Sequence, residues 1–346
     1  MHRIFSLSPA SDVVQSALER IPVMESLARG FSGKHLLLTG GTGFFGKWLL
    51  ALLYTLERQG VDISVTVVSR EPERFLSAHP EYRQCSWLHW QACDIRNLPP
   101  LGGKPIDLVL HAATDTSLYA HAHPLTLFDT VIHGARQILD IAVRHGAQRI
   151  LLTGSGAQYG ALHRGQAATE DSRSACDCTL VGSTYAEAKR AQELLAVIYA
   201  QELSIEPILT RCFTFAGPGL PPDAHFAFGN FIRDALYRDS VVINSRGLAV
   251  RSYLHGADLA AWLLFLLLYG KTGEAYNVGS DTAISIAELA QRILTWLAPS
   301  KKLVCLEAAA NDSYYVPNID KARALGLEVW SSLDESIDDM ARWLRS

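Results

Sequence analysis

His35-Leu36-Leu37-Leu38-Thr39-Gly40-Gly41-Thr42-Gly43-Phe44-Phe45-Gly46-Lys47-Trp48-Leu49-Leu50 joins an apolar run to a helical one through a glycine-rich turn. Residues 35–38 read as a strand buried on both faces. Apolar residues at helical spacing follow from Lys47 to Tyr54. Strand, glycine turn and helix together make the setting of a dinucleotide fingerprint. Gly40 allows the tight turn, Gly43 lets the backbone approach a pyrophosphate, and Gly46 lets the helix pack against the strand. The N–H groups at the helix start, on Thr42 to Phe45, then face an anion.

The rest of the chain repeats this rhythm. Strand signals fall at 64–68, 87–92, 107–111 and 149–153, with helical stretches between most of them, the clearest from Leu125 to His145. Alternating strands and helices predict an α/β fold, a doubly wound parallel sheet (a Rossmann fold) that binds its ligand at the carboxyl ends of the strands. Past residue 216 the rhythm loosens at Gly217-Pro218-Gly219-Leu220-Pro221-Pro222. Later pieces read as helices at 230–237, 285–297 and 333–344 and a strand at 275–278. The expected organisation is an N-terminal helical arm (1–32), a dinucleotide-binding domain (33–215) and a smaller mixed substrate domain (216–346). Parts of 249–280 return to the sheet.

Composition narrows the ligand. The chain has 346 residues, 49% hydrophobic and 19% charged, with a formal net charge of −4, so no global field favours nucleic acid. The apolar run Leu259–Tyr269 is too short to span a bilayer and reads as a buried helix. Residues 1–30 lack the apolar core of a signal peptide. Val13, Val14, Ala17, Leu18 and Ile21 form one helix face, which reads as a packing arm. The six cysteines have no zinc-ligand spacing, so reduced thiols, a cytoplasmic location and no metal are expected.

The second strand ends in Ser69-Arg70, where an acid would favour NAD and an arginine the 2′-phosphate of NADP. The charge logic therefore favours NADP(H). Asp94, followed by Ile95, stands where a carboxylate would accept the adenine amino group, or cap a turn. Tyr185 and Lys189 are four apart in a helix opening at Thr184, so they share one face. An ammonium beside a phenol lowers the phenol's pKa and suits it to exchange a proton during hydride transfer. Ser155 ends the fifth strand and is placed to hold the same substrate oxygen.

These motifs, with His111-Ala112-Ala113 and Tyr159-Gly160, resemble the extended short-chain dehydrogenases/reductases, the nucleotide-sugar epimerase/dehydratase group. Residues 211–219, 251–258, 276–279 and 320–323 extend the resemblance over roughly 33–346. It implies that Tyr185 is the acid/base, that Lys189 tunes it and orients the nicotinamide ribose, and that Ser155 assists. Arg251 and Asn230 match positions that contact a substrate diphosphate. A homodimer acting on a small nucleotide sugar is implied.

Two departures narrow the reaction. Dehydratases of this resemblance carry an acidic pair directly after the position of Ser155, whereas this chain has Gly156-Ala157. Ala308-Ala309-Ala310 stands where epimerases often place an arginine. The expected chemistry is hydride transfer at one sugar carbon, C4, by an epimerase or a 4-keto reductase rather than a 4,6-dehydratase. A dinucleotide-binding sensor without turnover and a reductase of a non-nucleotide ketone stay open as alternatives.

Overall fold

A computed structural model describes residues 6–102, 105–115, 117–224, 226–306 and 312–346, so Ala308–Ala310 lie outside the described residues. Two short helices come first, α1 (Asp12–Glu19) and α2 (Met24–Phe31). There follow β1 (Lys34–Thr39), α3 (Phe44–Arg58), β2 (Ile63–Ser69), α4 (Pro72–Ala78), β3 (Leu88–Ala92) and β4 (Leu108–His111). The next elements are α5 (Leu118–Ala122), α6 (Pro124–Arg144), β5 (Arg149–Ser155), α7 (Thr184–Leu203) and β6 (Glu206–Cys212). Beyond them lie β7 (Phe215–Ala216), α8 (Ala227–Tyr237), β8 (Ser240–Ile243), β9 (Val250–Arg251), β10 (Leu254–His255) and α9 (Gly256–Tyr269). The chain closes with β11 (Ala275–Val278), β12 (Ile284–Ser285), α10 (Ile286–Leu297), β13 (Lys302–Cys305), β14 (Tyr314–Tyr315), α11 (Asp320–Arg323) and α12 (Leu333–Arg345).

Seven strands form one parallel sheet in the order β11-β6-β5-β4-β1-β2-β3. The chain runs outward from β1 in both directions, so the order reverses beside β1, between it and β4. Ligands of doubly wound sheets bind at such a crevice. The apolar run of β1 explains its central place. Leu36 and Leu38 face the core under α3 and α9, and Leu37 faces the core under α6 and α7. All three are buried, as a strand covered on both faces requires. Helix α9 is apolar all round because it is itself buried, Trp262 included. Among the described residues no helix is long and apolar enough to cross a membrane.

The first thirty residues pack onto their own chain. Val14, Ala17 and Leu18 of α1 and Leu27 and Phe31 of α2 are buried in the larger core. The Arg20 guanidinium pairs with the buried Asp339 carboxylate of α12 and donates to Ser331 Oγ at 3.2 Å. Ser331 in turn donates to Asp258 of α9 at 2.7 Å. Trp343 Nε1 donates to the Ser6 carbonyl at 2.8 Å. One polar chain therefore ties the arm to α9 and α12.

Past β6 the chain builds small pieces over the sheet's carboxyl edge. β8 and β13 pair in parallel, and β9 lies between β12 and β14. The β9–β14 register sets Tyr315 opposite Arg251. β11 leaves these pieces to join the main sheet beside β6.

Candidate functional site

A cavity of about 640 Å³ opens at the carboxyl end of β1, β2 and β4. Gly40, Thr42 and Gly43 line it, with Ser69 and Arg70 after β2, Asp94 and Ile95 after β3, and Ala112, Ala113 and Thr114 after β4. The three fingerprint glycines have different reasons to be glycine. Gly40 has φ +75°, and a Cβ there would stand 2.5 Å from the Ala112 carbonyl oxygen. A Cβ on Gly46 would stand 2.2–2.4 Å from the backbone of Gly40 and Gly41. A Cβ on Gly43 would meet only the Gly40 carbonyl oxygen, at an ordinary 3.5 Å. The protein itself makes little demand for glycine at 43. A ligand approaching the turn would.

The remaining expected cofactor residues sit around this cradle rather than all inside it. Phe44 and Phe45 open α3, and their rings turn away to pack on Phe215, Phe45 edge-on at 4.9 Å. Asp94 caps the turn at 95–97 and pairs with Arg96 at 2.8 Å, which holds its carboxyl below the usual range. Asp94 thus caps the turn and lines the cavity at once.

His111 lies beneath the cavity, buried, with Nδ1 2.7 Å from Thr39 Oγ1. Burial, with Lys189 nearby, pushes it down to about 3, so the ring is neutral. Burial likewise pushes His255 down to about 3 and His79 to about 4. Unfolded histidines take up protons near pH 6.5 that these three refuse. Their contribution is complete above that pH and is lost as the pH falls toward 4. Asp258, held up to about 6 by burial, works in the opposite sense. Three histidines outweigh Asp258 and Asp339, whose carboxyl burial also raises, so stability should drop by roughly 2 kcal/mol from pH 7 to 5.5. Urea unfolding at the two pH values checks this, and equal midpoints would contradict it.

The second cluster starts where the cavity ends. Thr114 Oγ1 accepts from Lys189 Nζ at 2.8 Å. Lys189, on α7 and buried, also donates to the Thr153 carbonyl at 2.7 Å and to Gln192 Oε1 at 3.2 Å. Burial lowers its pKa to about 8. One turn earlier, Tyr185 rests its ring against Ala120, Leu127, Val131 and Ala188, with His121 edge-on at 5.7 Å. Its phenol stands near enough to the Ser155 hydroxyl for that hydroxyl to favour the ionised form. Ser155 ends β5, and its hydroxyl also accepts from Ala157 N at 3.2 Å. The structure therefore brings Ser155, Tyr185 and Lys189 together at the cavity's edge.

One expectation is corrected. The lysine was expected to lower the phenol's pKa. Instead burial pushes Tyr185 up to about 12, against the smaller opposing influence of the nearby Ser155 hydroxyl. The three protons of Lys189 are committed to Thr114, Thr153 and Gln192, and no hydrogen bond joins it to Tyr185. At neutral pH the phenol is the acid form.

Tyr315 also belongs to this centre, and motif reading missed it. Its hydroxyl lies 3.5 Å from Ser155 Oγ and donates to the Cys212 carbonyl at 3.3 Å. Its ring sits 4.6 Å from Phe213 and 5.8 Å from the Arg251 guanidinium. No local spacing announces it, because only the β9–β14 pairing puts it there. Arg251 hydrogen-bonds the Val250 and Ser313 carbonyls and the Ser313 hydroxyl, so no carboxylate neutralises it among the described residues. Asn230 donates to the Ala224 carbonyl at 2.8 Å and accepts from Arg233, which fixes it to the loop before α8. Gly156 faces Phe213: a Cβ there would stand 2.7–2.8 Å from three of its ring carbons. The cysteines are free thiols, and no group of metal ligands forms among the described residues.

A doubly wound sheet with a glycine cradle at its switch point defines the Rossmann class of fold. The chain belongs to the NAD dependent epimerase/dehydratase family, whose model matches residues 36–279. UDP-glucuronic acid decarboxylase 6 of Arabidopsis thaliana is 28% identical over 312 residues, covering 88% of this chain and 87% of that protein. A dTDP-glucose 4,6-dehydratase of Streptomyces griseus is 28% identical over 269 residues, 75% of this chain and 77% of that protein. The fold is shared with a UDP-N-acetylglucosamine 4-epimerase from Methanobrevibacter ruminantium, with TM-score 0.78, 19% identity, and 91% and 99% of the two chains covered. It is shared too with DesIV, a dTDP-glucose 4,6-dehydratase of Streptomyces venezuelae solved with NAD, with TM-score 0.76, 24% identity, and 90% and 97% covered.

Proposed function

We propose that the protein transfers hydride at one carbon, C4, of a nucleotide-linked sugar, using a nicotinamide dinucleotide in the 640 Å³ cavity. The observation that carries this reading is the Tyr185 phenol standing near the Ser155 hydroxyl, one helical turn from Lys189, which is itself bonded to Thr114 of the cavity. The residues fit the cofactor: Gly43 leaves its approach open, and Gly40, Thr42 and Gly43 line the cavity at the start of α3. When bound, the dinucleotide supplies the hydride.

The chain's own residues supply the proton and the positioning. Tyr185 gives its proton to a keto oxygen as that oxygen gains charge, or takes one back in the reverse direction. Ser155 holds the same oxygen. Lys189 carries a positive charge under the ribose side of the site, anchored on Thr153 and Thr114. Arg251 offers a planar donor fork to a diphosphate, and having no carboxylate partner among the described residues suits it to an anion. Asn230 stands on α8 as the second diphosphate contact.

Reduction of a 4-keto sugar is the form favoured by the protonated phenol and by Arg70 at the end of β2, where a cationic residue favours NADP(H). Epimerisation uses the same groups and is the second reading, supported by family membership. Elimination or decarboxylation needs a further acid or base beside Ser155. Gly156 offers none, and Phe213 fills the space a side chain there would enter. The testing experiment incubates the purified protein with UDP- and dTDP-linked sugars and their 4-keto forms, with NADPH or NAD+, and identifies products by NMR. A C4 epimer or a 4-hydroxy product is expected. A 4-keto-6-deoxy sugar or a released CO₂ would overturn the assignment.

A further inference from the structure

The family model begins at residue 36, so helices α1 and α2 and the residues around them lie ahead of it. This arm nevertheless reaches the loop Gly217-Pro218-Gly219-Leu220-Pro221-Pro222, which follows β7 on the way to α8. That loop does not hold itself. Gly217 and Gly219 take φ +103° and +91°, a region that favours glycine, and its three prolines have no N–H to donate. From 217 to 222 no backbone–backbone hydrogen bond forms among the described residues. Side chains from elsewhere hold it instead. Trp48 Nε1 of α3 donates to the Pro218 carbonyl at 2.9 Å, and Arg233 of α8 donates to the Pro222 carbonyl at 2.7 Å.

The arm adds two supports. Leu7, 1% exposed, stands over Gly219. A Cβ on Gly219 would meet Leu7 Cδ2 at 3.5 Å and Phe44 Cδ2 at 3.7 Å, so Leu7 fills the seam between the loop and the first residue of α3. The preceding residue is pinned by Trp343 through the Ser6 carbonyl. The second support starts at Arg20. It pairs with Asp339, whose carboxylate lies 3.5 Å from His255 Nε2. His255 backs Gly217, where a Cβ would stand 2.6 Å from the same Nε2. His255 follows Arg251 by four residues, on the strand β10 that pairs with β7. At the other end of the loop, Asn230 of α8 donates to the Ala224 carbonyl at 2.8 Å. The arm therefore grips both segments that carry Arg251 and Asn230.

We infer that the N-terminal arm is a strap that sets the diphosphate end of the cleft, with Leu7 a positioning residue that acts through Gly219 and its loop. The inference rests on the reading of Arg251 and Asn230 as diphosphate contacts and deepens it. A loop with two left-handed glycines and no backbone bonds of its own has many conformations open to it, and the start of α8 moves with it. Fixing the loop beforehand removes an ordering cost that binding would otherwise meet. The strap thus acts on affinity for the nucleotide and not on the proton chemistry at Tyr185, which stands on α7.

Hydrogen exchange and calorimetric titration of the full chain test this, with UDP, dTDP and NAD+ as probes. Leu7→Ala should speed amide exchange at residues 217–224 about tenfold. It should weaken the nucleoside diphosphate that binds by about fivefold and leave NAD+ within about twofold. Leu7→Met should restore both. Leu7→Val, a smaller truncation, should give the same pattern at reduced size and serves if Leu7→Ala does not fold. Leu27→Ala is the control. Leu27 is as buried as Leu7 but lies on α2, which Tyr269 ties through the Ser26 carbonyl to the opposite end of α9 from His255. That variant should lower the unfolding midpoint and leave loop exchange and nucleotide affinity unchanged. Unchanged loop exchange in the Leu7 variants, or a nucleotide loss shared equally by Leu27→Ala, would overturn the strap and leave the diphosphate reading standing. A wild type that binds neither UDP nor dTDP would overturn that reading and the strap's part in binding with it.

Discussion

Tyr185→Phe should lower turnover by about a thousandfold and leave dinucleotide affinity within twofold. General acid–base groups typically contribute 10²- to 10⁴-fold, and this phenol is the proton donor that α7 brings near Ser155. The substitution removes one oxygen and keeps the ring. That ring is seated by Ala120, Leu127, Val131 and Ala188 and by the edge of His121, none of which depends on the hydroxyl. Lys189 keeps its bonds to Thr114, Thr153 and Gln192, so the cavity edge is not disturbed. The loss should therefore fall on kcat rather than on cofactor binding or on the melting temperature. Steady-state kinetics on the substrate found by product screening, beside titration with dinucleotide, checks it. Parallel loss of turnover and cofactor affinity would make Tyr185 a structural residue and remove its role as the acid.

The parts of this site that lie on one element are the parts visible in the sequence. Three leucines before Thr39 could only be a strand covered on both faces, and the structure buries all three. The spacing of Tyr185 and Lys189 puts them on one face of α7 wherever that helix lies. Ser155 is legible as the end of a strand signal. What spacing does not carry is environment. The phenol's pKa was read from one neighbour, the lysine, but its sign is set by burial under α5 and α6, which no local pattern encodes. Tyr315 reaches Ser155 only through a two-residue strand pairing that joins positions more than sixty residues apart, too short to leave a periodic signal. The partner of Asp94, by contrast, was two residues away.

Gly43→Val should abolish measurable dinucleotide binding, a loss of at least a hundredfold, while the unfolding midpoint stays close to wild type. The two halves of this expectation come from one observation. At Gly43, φ is −81°, a value any residue adopts, and an added Cβ would meet only the Gly40 carbonyl oxygen at van der Waals distance. Nothing in the protein therefore resists the side chain, and valine costs the fold little beyond its weaker fit at a helix N-cap. The same openness means that the branched side chain projects into the space where a pyrophosphate must approach the N–H groups of the turn. Gly46 supplies the contrast. There a Cβ would lie 2.2 Å from the Gly41 carbonyl carbon, so Gly46→Ala should force α3 away from β1 and lower the unfolding midpoint as well as binding. Thermal melts and calorimetric titration of both variants separate the two kinds of glycine. If Gly43→Val binds dinucleotide with native affinity, the ligand does not cross this turn, and the cradle at the switch point of the sheet serves some other purpose. If it melts as early as Gly46→Ala, the glycine at 43 is there for the fold, and its openness is no evidence of a ligand.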